Sequence, residues 1–224
     1  MFTSHYSEAK IPYEYIGSPI MWDTYTKREK WMSQKNHQPV LAILPGSRRG
    51  EVIWHLPVVF STAKKISENF PRWRIITSIA HPGLQTLVKG YAGRYSYSGG
   101  FWEGDIRPLL AQAEFAWIAS GTAIHIAMAL GTPFVGFYQI NPFLAAISRN
   151  FFLDLPFWTL INYAENREIC PELIQEDFTV SNLMEKTVSF LENPRKREEL
   201  SKEITAIAEK FFVPDGLMKV ASYL

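Results

Sequence analysis

Two short segments carry residue types suited to holding an anion. Leu44-Pro45-Gly46-Ser47-Arg48-Arg49-Gly50-Glu51 follows an apolar run and opens a helical pattern. A strand-to-helix turn with two glycines exposes backbone N–H groups at a helix N-terminus, where unpaired donors and the helix dipole stabilise negative charge. Arg48 adds a guanidinium fork suited to a diphosphate. The same residues also suit a plain tight turn with solvated arginines. The segment is neither a P-loop, because the Gly-Lys-Ser/Thr ending is missing, nor a Gly-x-Gly-x-x-Gly dinucleotide fingerprint. Ala119-Ser120-Gly121-Thr122-Ala123 repeats the arrangement. There Ser120 or Thr122 can cap the following helix, and Gly121 lets a ligand approach the backbone closely. Alone, this turn is an ordinary N-cap. Two such turns at the carboxyl ends of strands in one sheet put two anion-friendly helix ends on the rim where open α/β folds bind ligands.

A third segment, Leu160 through Asp177, is dense in amide, guanidinium and carboxylate groups, including Asn162, Arg167, Glu168 and Gln175. A polar loop of this kind can read a base or a sugar by hydrogen bonds, or it can be a solvated loop with internal ion pairs. The histidines His5, His37, His55, His81 and His125 show no metal-ligand spacing and no nucleophile motif, and no pair of catalytic carboxylates stands out. His125 is placed one turn into the helix that follows Ser120. The reading there is a satisfied histidine, as it is a buried bystander thiol at the single cysteine, Cys170.

Positioning these turns takes a parallel sheet. From Val40 onward short apolar runs alternate with helical patterns, the signature of an α/β, Rossmann-like doubly wound parallel sheet covered on both faces. The runs predict strands at Val40–Leu44, Trp73–Ile79, Phe115–Ala119 and Phe134–Phe137, with a short one near Thr159–Ile161. Helical spacing of Val52, Leu56, Val59, Phe60, Ala63 and Ile66 predicts a helix from Gly50 to about Glu68. Further helices are expected over Arg107–Ala113, over Thr122–Leu130 with Gly131 as its stop, and, near the C-terminus, over Thr179–Leu191 and Pro194–Phe212. Residues 1–36 read as a connector, with Tyr15-Ile16-Gly17-Ser18-Pro19 as one strand ending in a turn. Residues 37–192 read as one Rossmann-like domain and 193–224 as a helical tail.

Composition limits the partners. Twenty-three Lys and Arg against 22 Asp and Glu leave a formal charge of +1 in 224 residues, so no global field draws nucleic acid or anionic membrane, and an anion site must be local. One cysteine excludes an internal disulfide and a multi-cysteine metal cluster, in keeping with a cytoplasmic setting. The N-terminus MFTSHYSEAK has neither a basic stretch nor an apolar run of signal-peptide length, and no later segment reaches the length of a membrane span. Aromatic residues make up 14% of the chain. Ile53 and Trp54, just after Arg48 and Arg49, suit either peripheral contact with a membrane surface or packing under a loop.

In order and spacing, five motifs resemble those of lipid-A-disaccharide synthase over about Ile11 to Leu191. They are Tyr15-Ile16-Gly17-Ser18-Pro19, Leu44-Pro45-Gly46-Ser47-Arg48, Ser120-Gly121-Thr122-Ala123, Gly131-Thr132-Pro133, and the block from Asn162 through Arg167-Glu168 to Pro171-Glu172-Leu173-Ile174-Gln175-Glu176. The resemblance implies the C-terminal, donor-binding half of a GT-B glycosyltransferase. That family transfers a sugar from UDP-2,3-diacylglucosamine to 2,3-diacylglucosamine 1-phosphate (lipid X), releasing UDP. On the resemblance, Gly46, Ser47 and Arg48 with Ser120, Gly121 and Thr122 hold the diphosphate, while Asn162, Arg167, Glu168 and Gln175 surround the uridine and donor sugar. Such donors stabilise the charge of departing UDP, and neither metal nor cofactor is expected.

Two departures bear on activity. Ile126 stands where the family carries a carboxylate for the ribose hydroxyls. Losing a charge-assisted hydrogen bond costs about 1.5–3 kcal/mol, roughly tenfold to more than a hundredfold in affinity, unless His125 or a water substitutes. The family's N-terminal half, with the acceptor site and general base, has no counterpart here. The chain therefore reads as the donor half of a split enzyme completed by a separate acceptor-domain polypeptide. Its alternatives are a degenerate UDP-sugar-binding or scaffolding paralogue, or a truncated reading frame.

Overall fold

The computed structural model describes residues 14–33, 38–141, 156–214, 216 and 221–222. His5 and His37 lie outside the described residues. Among those residues, six parallel strands form one sheet in the order β3-β2-β1-β4-β5-β6. They are β1 (Val40–Leu44), β2 (Arg74–Ile79), β3 (Gly100–Glu103), β4 (Phe115–Ala119), β5 (Phe134–Tyr138) and β6 (Glu172–Ile174). Chain order reverses between β1 and β4, which pair in register from Leu41 opposite Phe115 to Leu44 opposite Ile118. Every residue of these two central strands is buried, because helices cover both faces and leave no side to water.

The helices are α1 (Pro19–Thr26), α2 (Glu29–Met32), α3 (Arg49–Asn69), α4 (Gln85–Arg94), α5 (Arg107–Gln112), α6 (Thr122–Leu130), α7 (Leu160–Glu165), α8 (Val180–Glu192) and α9 (Pro194–Ala208), the last continued by a 3-10 turn at Glu209–Phe211. Val52, Leu56, Val59, Phe60, Ala63 and Ile66, the apolar positions read from helical spacing, are the buried face of α3. Pairing of α3 with α8 and of α6 with α1 and α9 closes the two helical layers.

Gly131 ends α6 in the left-handed conformation at φ 66°. A Cβ added there would lie 2.5 Å from Thr205 Oγ1 on α9 and 3.2 Å from Ser201 Oγ, so the backbone requirement and the close approach of α9 both select glycine. Gly131→Ala is expected to lower stability by about 1–2 kcal/mol from the left-handed backbone alone. A shift of the urea midpoint at unchanged slope would record it.

The four longer predicted strands form within a residue of their expected bounds. The short strand expected near Thr159–Ile161 is instead the start of a helix. Thr159 is the N-cap of α7 at φ −90° and ψ 144°, and the place beside β5 is taken by β6, with Gly136 opposite Glu172. The strand expected over residues 15–19 is likewise absent. Gly17 turns at φ 74°, Ser18 N–H donates to Phe211 O at 3.1 Å, and α1 begins at Pro19. In the segment read as a connector, Met21, Thr24 and Trp31 are buried, and Met21 and Trp31 belong to the same core as Leu200, Ile204 and Ile207 of α9. Their spacing in α1 is three residues, short of the length from which a helical period can be read.

Candidate functional site

All the carboxyl ends of a parallel sheet point to one rim, so the chain reversal between β1 and β4 opens a crevice there. The crevice holds a cavity of about 250 Å³, floored by Leu44 and Ala119, the last residues of the two strands, with Ser78 and Ala80 on the β2 side. Its walls include Gly46, Ser47, Arg48, Ser120, Gly121 and Thr122. The two turns singled out in the sequence thus meet in one cavity.

Each turn is shaped for close approach. Gly46 has φ 108°, and after it α3 starts with Arg48 in extended conformation as its N-cap. Gly121, at φ 148° and ψ −158°, is the N-cap of α6. No side chain caps this helix, so the expected cap by Ser120 or Thr122 does not form; the Ser120 hydroxyl donates instead to Trp158 O at 3.3 Å. Ile124 N–H reaches back to Gly121 O at 3.0 Å. Thr122 and Ala123 therefore open the helix with N–H groups that have no intrahelical acceptor, beside the cavity they line.

Arg48 is exposed and donates to Glu51 Oε1 at 3.0 Å, the same oxygen that accepts from Tyr138 Oη at 3.1 Å. Glu51 lines the cavity as well and holds the Arg48 guanidinium charged, pushing its pKa up. Any anion entering the cavity would compete with Glu51 for Arg48. Nothing in the residue pattern marked Glu51 beyond its place in the quoted motif, since the partner Tyr138 is 87 residues away.

His55 is fully buried on α3 beneath the first turn. Gln139 N–H donates to its Nε2 at 3.0 Å, so Nδ1 carries the proton and donates to Pro45 O at 2.7 Å. His81, after β2, bonds Ser47 O through Nε2 at 3.1 Å. Two histidines with no motif of their own therefore fix the carbonyls on either side of Gly46.

A second cavity, of about 420 Å³, shares Ser120 and Gly121 with the first and is lined by Ile124, His125, Phe157, Trp158, Thr159, Leu160 and Tyr163. His125 Nδ1 lies 3.4 Å from Ser18 Oγ, and burial pushes its pKa down. Ile126 is 7% exposed and lines neither cavity; the polar side chain that α6 presents to the second one is His125. Phe157 and Trp158 carry no sequence signal of their own, because the segment leading into α7 has no periodicity.

The third segment is placed differently from the two turns. Asn162, Arg167, Glu168 and Gln175 line neither cavity. Asn162 is fully buried, donating to Cys170 O at 2.7 Å and Glu172 Oε1 at 2.8 Å and accepting from the N–H groups of Ile169 at 2.8 Å and Cys170 at 3.0 Å. All its hydrogen-bonding capacity is spent inside the fold. Arg167 pairs with Glu203 at 2.7 Å on the surface, and Glu168 lines a separate groove with Lys186 and Lys196. Gln175, at φ 52° past the end of β6, offers its carbonyl to Gln139 Nε2 at 3.2 Å, which ties it to the rim.

Glu172 does the organising in this segment. Its carboxylate accepts from Trp158 N–H and Thr159 N–H, both at 2.8 Å, from Thr159 Oγ1 at 2.5 Å and from Asn162 Nδ2 at 2.8 Å. It thereby fixes the two residues that lead into α7 and holds Trp158 and Thr159 against the second cavity. Cys170 is buried, and burial pushes its thiol pKa up. No helix among the described residues is long and apolar enough to cross a membrane.

Comparison with known proteins places this geometry. The solved structure of WaaG, a glycosyltransferase involved in lipopolysaccharide biosynthesis, superposes with a TM-score of 0.54 at 15% identity, over 92% of this chain and 51% of that one. A UDP-N-acetylglucosamine 2-epimerase from Listeria monocytogenes, described as putative in its structure, gives 0.58 at 12% identity, over 87% and 50%. The C-terminal CMP-Kdo binding domain of WaaA from Acinetobacter baumannii gives 0.52 at 12% identity, over 83% of this chain and 97% of that domain. At such identities the likeness is one of fold. Among curated sequences, lipid-A-disaccharide synthase 1 of Legionella pneumophila (strain Lens) is 27% identical over 91% of this chain and 54% of its own length. The lipid-A-disaccharide synthase of Solibacter usitatus is 29% identical over 89% and 53%. The chain spans about half the length of the curated relatives it matches. The family model for lipid-A-disaccharide synthetase matches residues 3–212. With that match across nearly its whole length, the chain belongs to the lipid-A-disaccharide synthetase family.

Proposed function

We propose that this chain forms the UDP-sugar donor site for lipid A disaccharide synthesis, in which UDP-2,3-diacylglucosamine glycosylates lipid X and UDP leaves. The observation that carries the reading is the meeting of the two glycine turns in one cavity at the chain reversal. In it the Thr122 and Ala123 N–H groups, the turn at Gly46 and Ser47, and Arg48 would surround the diphosphate. These groups would stabilise the charge that develops on the leaving UDP more than the charge on the bound donor, which is the condition for accelerating the step. The second cavity, sharing Ser120 and Gly121, would take the part of the donor next to the diphosphate. Gln175 would act from the rim through Gln139.

The acceptor site and general base are assigned to a separate acceptor-domain polypeptide. Peripheral contact with the inner membrane is assigned to Ile53, which is 37% exposed, and the half-buried Trp54 beside it. One observation favours a second reading, a non-catalytic UDP-sugar-binding paralogue: position 126 is a buried isoleucine and not a carboxylate. Transfer in the presence of an acceptor domain from a full-length relative would separate the two.

The test of the donor site is calorimetric titration of the chain with UDP and with UDP-diacylglucosamine. Arg48→Ala should weaken UDP by about tenfold to a hundredfold, the worth of one charge-assisted hydrogen bond. Unchanged affinity in that variant would remove Arg48 from the diphosphate site.

A further inference from the structure

We propose that His55 is a positioning residue that couples the anion-binding turn after β1 to the exits of β5 and β6 and does so only as the neutral imidazole. The proposal rests on the donor-site reading given above. The connection is continuous: Pro45 O accepts from His55 Nδ1–H at 2.7 Å, His55 Nε2 accepts from Gln139 N–H at 3.0 Å, and Gln139 Nε2 donates to Gln175 O at 3.2 Å. Three strand exits are thus joined through two side chains, His55 and Gln139. Gly46 follows Pro45 directly, and the ideal position of a Cβ on Gly46 is only 3.9 Å from His55 Nδ1. The direction of the Pro45 carbonyl sets the plane of the peptide that carries Gly46 N–H, so the imidazole determines where the turn points its donors.

The ring cannot move to compensate. Phe137 lies edge-on at 5.1 Å between centroids, Phe178 at 5.9 Å and Tyr138 at 5.9 Å, and Phe137 and Phe178 stack on each other at 4.6 Å. The titratable groups facing it are Glu51, one turn earlier on α3, and Tyr138 on β5; the turn after β1 and Phe178 add no charge, and Arg48 is held out at the surface by Glu51. Burial pushes the His55 pKa down, against smaller raising effects from Pro45 O and Glu51. Protonation would turn Nε2 into a donor facing the Gln139 N–H donor and break the connection there.

The neutral ring is favoured in the folded chain, so its contribution is fully present above the unfolded histidine pKa of about 6.5 and is lost as pH falls from there through the lower pKa of the folded state. The experiment compares UDP binding by wild type, His55→Gln and His55→Leu from about pH 7.5 down to about pH 5.5. Amide hydrogen exchange is followed at Gly46, Ser47 and Gln139. Glutamine has one donor and one acceptor but does not titrate, so H55Q should bind UDP near wild type at the upper pH and keep its affinity better toward the lower. Titration of the UDP phosphate itself affects all three proteins alike. H55L should bind about tenfold more weakly, the worth of two lost hydrogen bonds. In wild type, the protection factors at the three amides, which take out the intrinsic slowing of exchange with falling pH, should drop on acidification, and in H55Q they should not.

A folded H55L that binds UDP as wild type does, with the wild-type pH profile, would overturn the proposal, as would a drop in stability with no change in affinity. If H55L does not fold, wild type against H55Q decides. If wild type binds no UDP, the donor-site reading fails, and the exchange data alone judge the coupling: equal pH response in wild type and H55Q would end it.

Discussion

Gly121→Ala is expected to lose at least a hundredfold in UDP affinity while remaining folded. Gly121 combines φ 148° with ψ −158°, a region essentially closed to residues with a Cβ, at a cost of about 1–3 kcal/mol. Its added Cβ would meet no atom within 4 Å, so the strain is conformational and no neighbour is displaced. The chain can relieve the strain by rotating the residues around 121, which tilts the Thr122 and Ala123 N–H groups away from the cavity. Two charge-assisted hydrogen bonds at about 1.5–3 kcal/mol each exceed the hundredfold stated. The melting temperature should fall by only about 2–12 °C, given roughly 2–4 °C per kcal/mol for a chain of this size. A variant with near-native affinity would mean that the N-terminus of α6 does not hold the anion.

Asn162→Ala should be the most damaging single truncation among the residues first read as candidates for ligand contact. It strands the N–H groups of Ile169 and Cys170, the Cys170 carbonyl and one acceptor site on Glu172, all served by one buried amide. Each unsatisfied buried group costs about 1–3 kcal/mol, and partial relaxation leaves a net loss of about 4 kcal/mol. That corresponds to a fall of about 8–16 °C in melting temperature. Asn162→Asp should do no better, since it replaces two donors with a second carboxylate beside Glu172. At a temperature where the alanine variant is still folded, its UDP affinity should change far less than that of Gly121→Ala. An equal loss of binding with no loss of stability would show instead that Asn162 touches the ligand.

These two positions show what could be read in the chain before its fold was known. The turns at Gly46 and Gly121 each follow a buried strand and open a helix, long and amphipathic after Gly46, short and apolar after Gly121, so local pattern is enough to place them, and parallel pairing then brings them to one rim. Asn162 lies in a polar block whose composition suits ligand contact and internal capping equally. Only the burial of its amide against Cys170 and Glu172 distinguishes the two. His55 shows no spacing with the other histidines, and its role depends on Gln139, 84 residues away. Glu172 was quoted within a motif, but its four donors come from residues 158, 159 and 162, across a turn of chain that no period describes. The strands β3 and β6 are four and three residues long, too short for alternation to register. Residues 159–161 have a strand-like apolar run, but β6 takes the place beside β5 and Glu172 holds the N–H groups of Trp158 and Thr159, the two residues before the helix.

The central claim is that an anion of the UDP class is held between the turns after β1 and β4. Amide chemical-shift mapping during a UDP titration tests it most directly. The prediction is saturable shifts largest at Gly46, Ser47, Arg48, Gly121, Thr122 and Ala123, with smaller ones around His125 and Trp158. Shifts that do not saturate, or that centre on the groove lined by Glu168, Lys186 and Lys196, would contradict it.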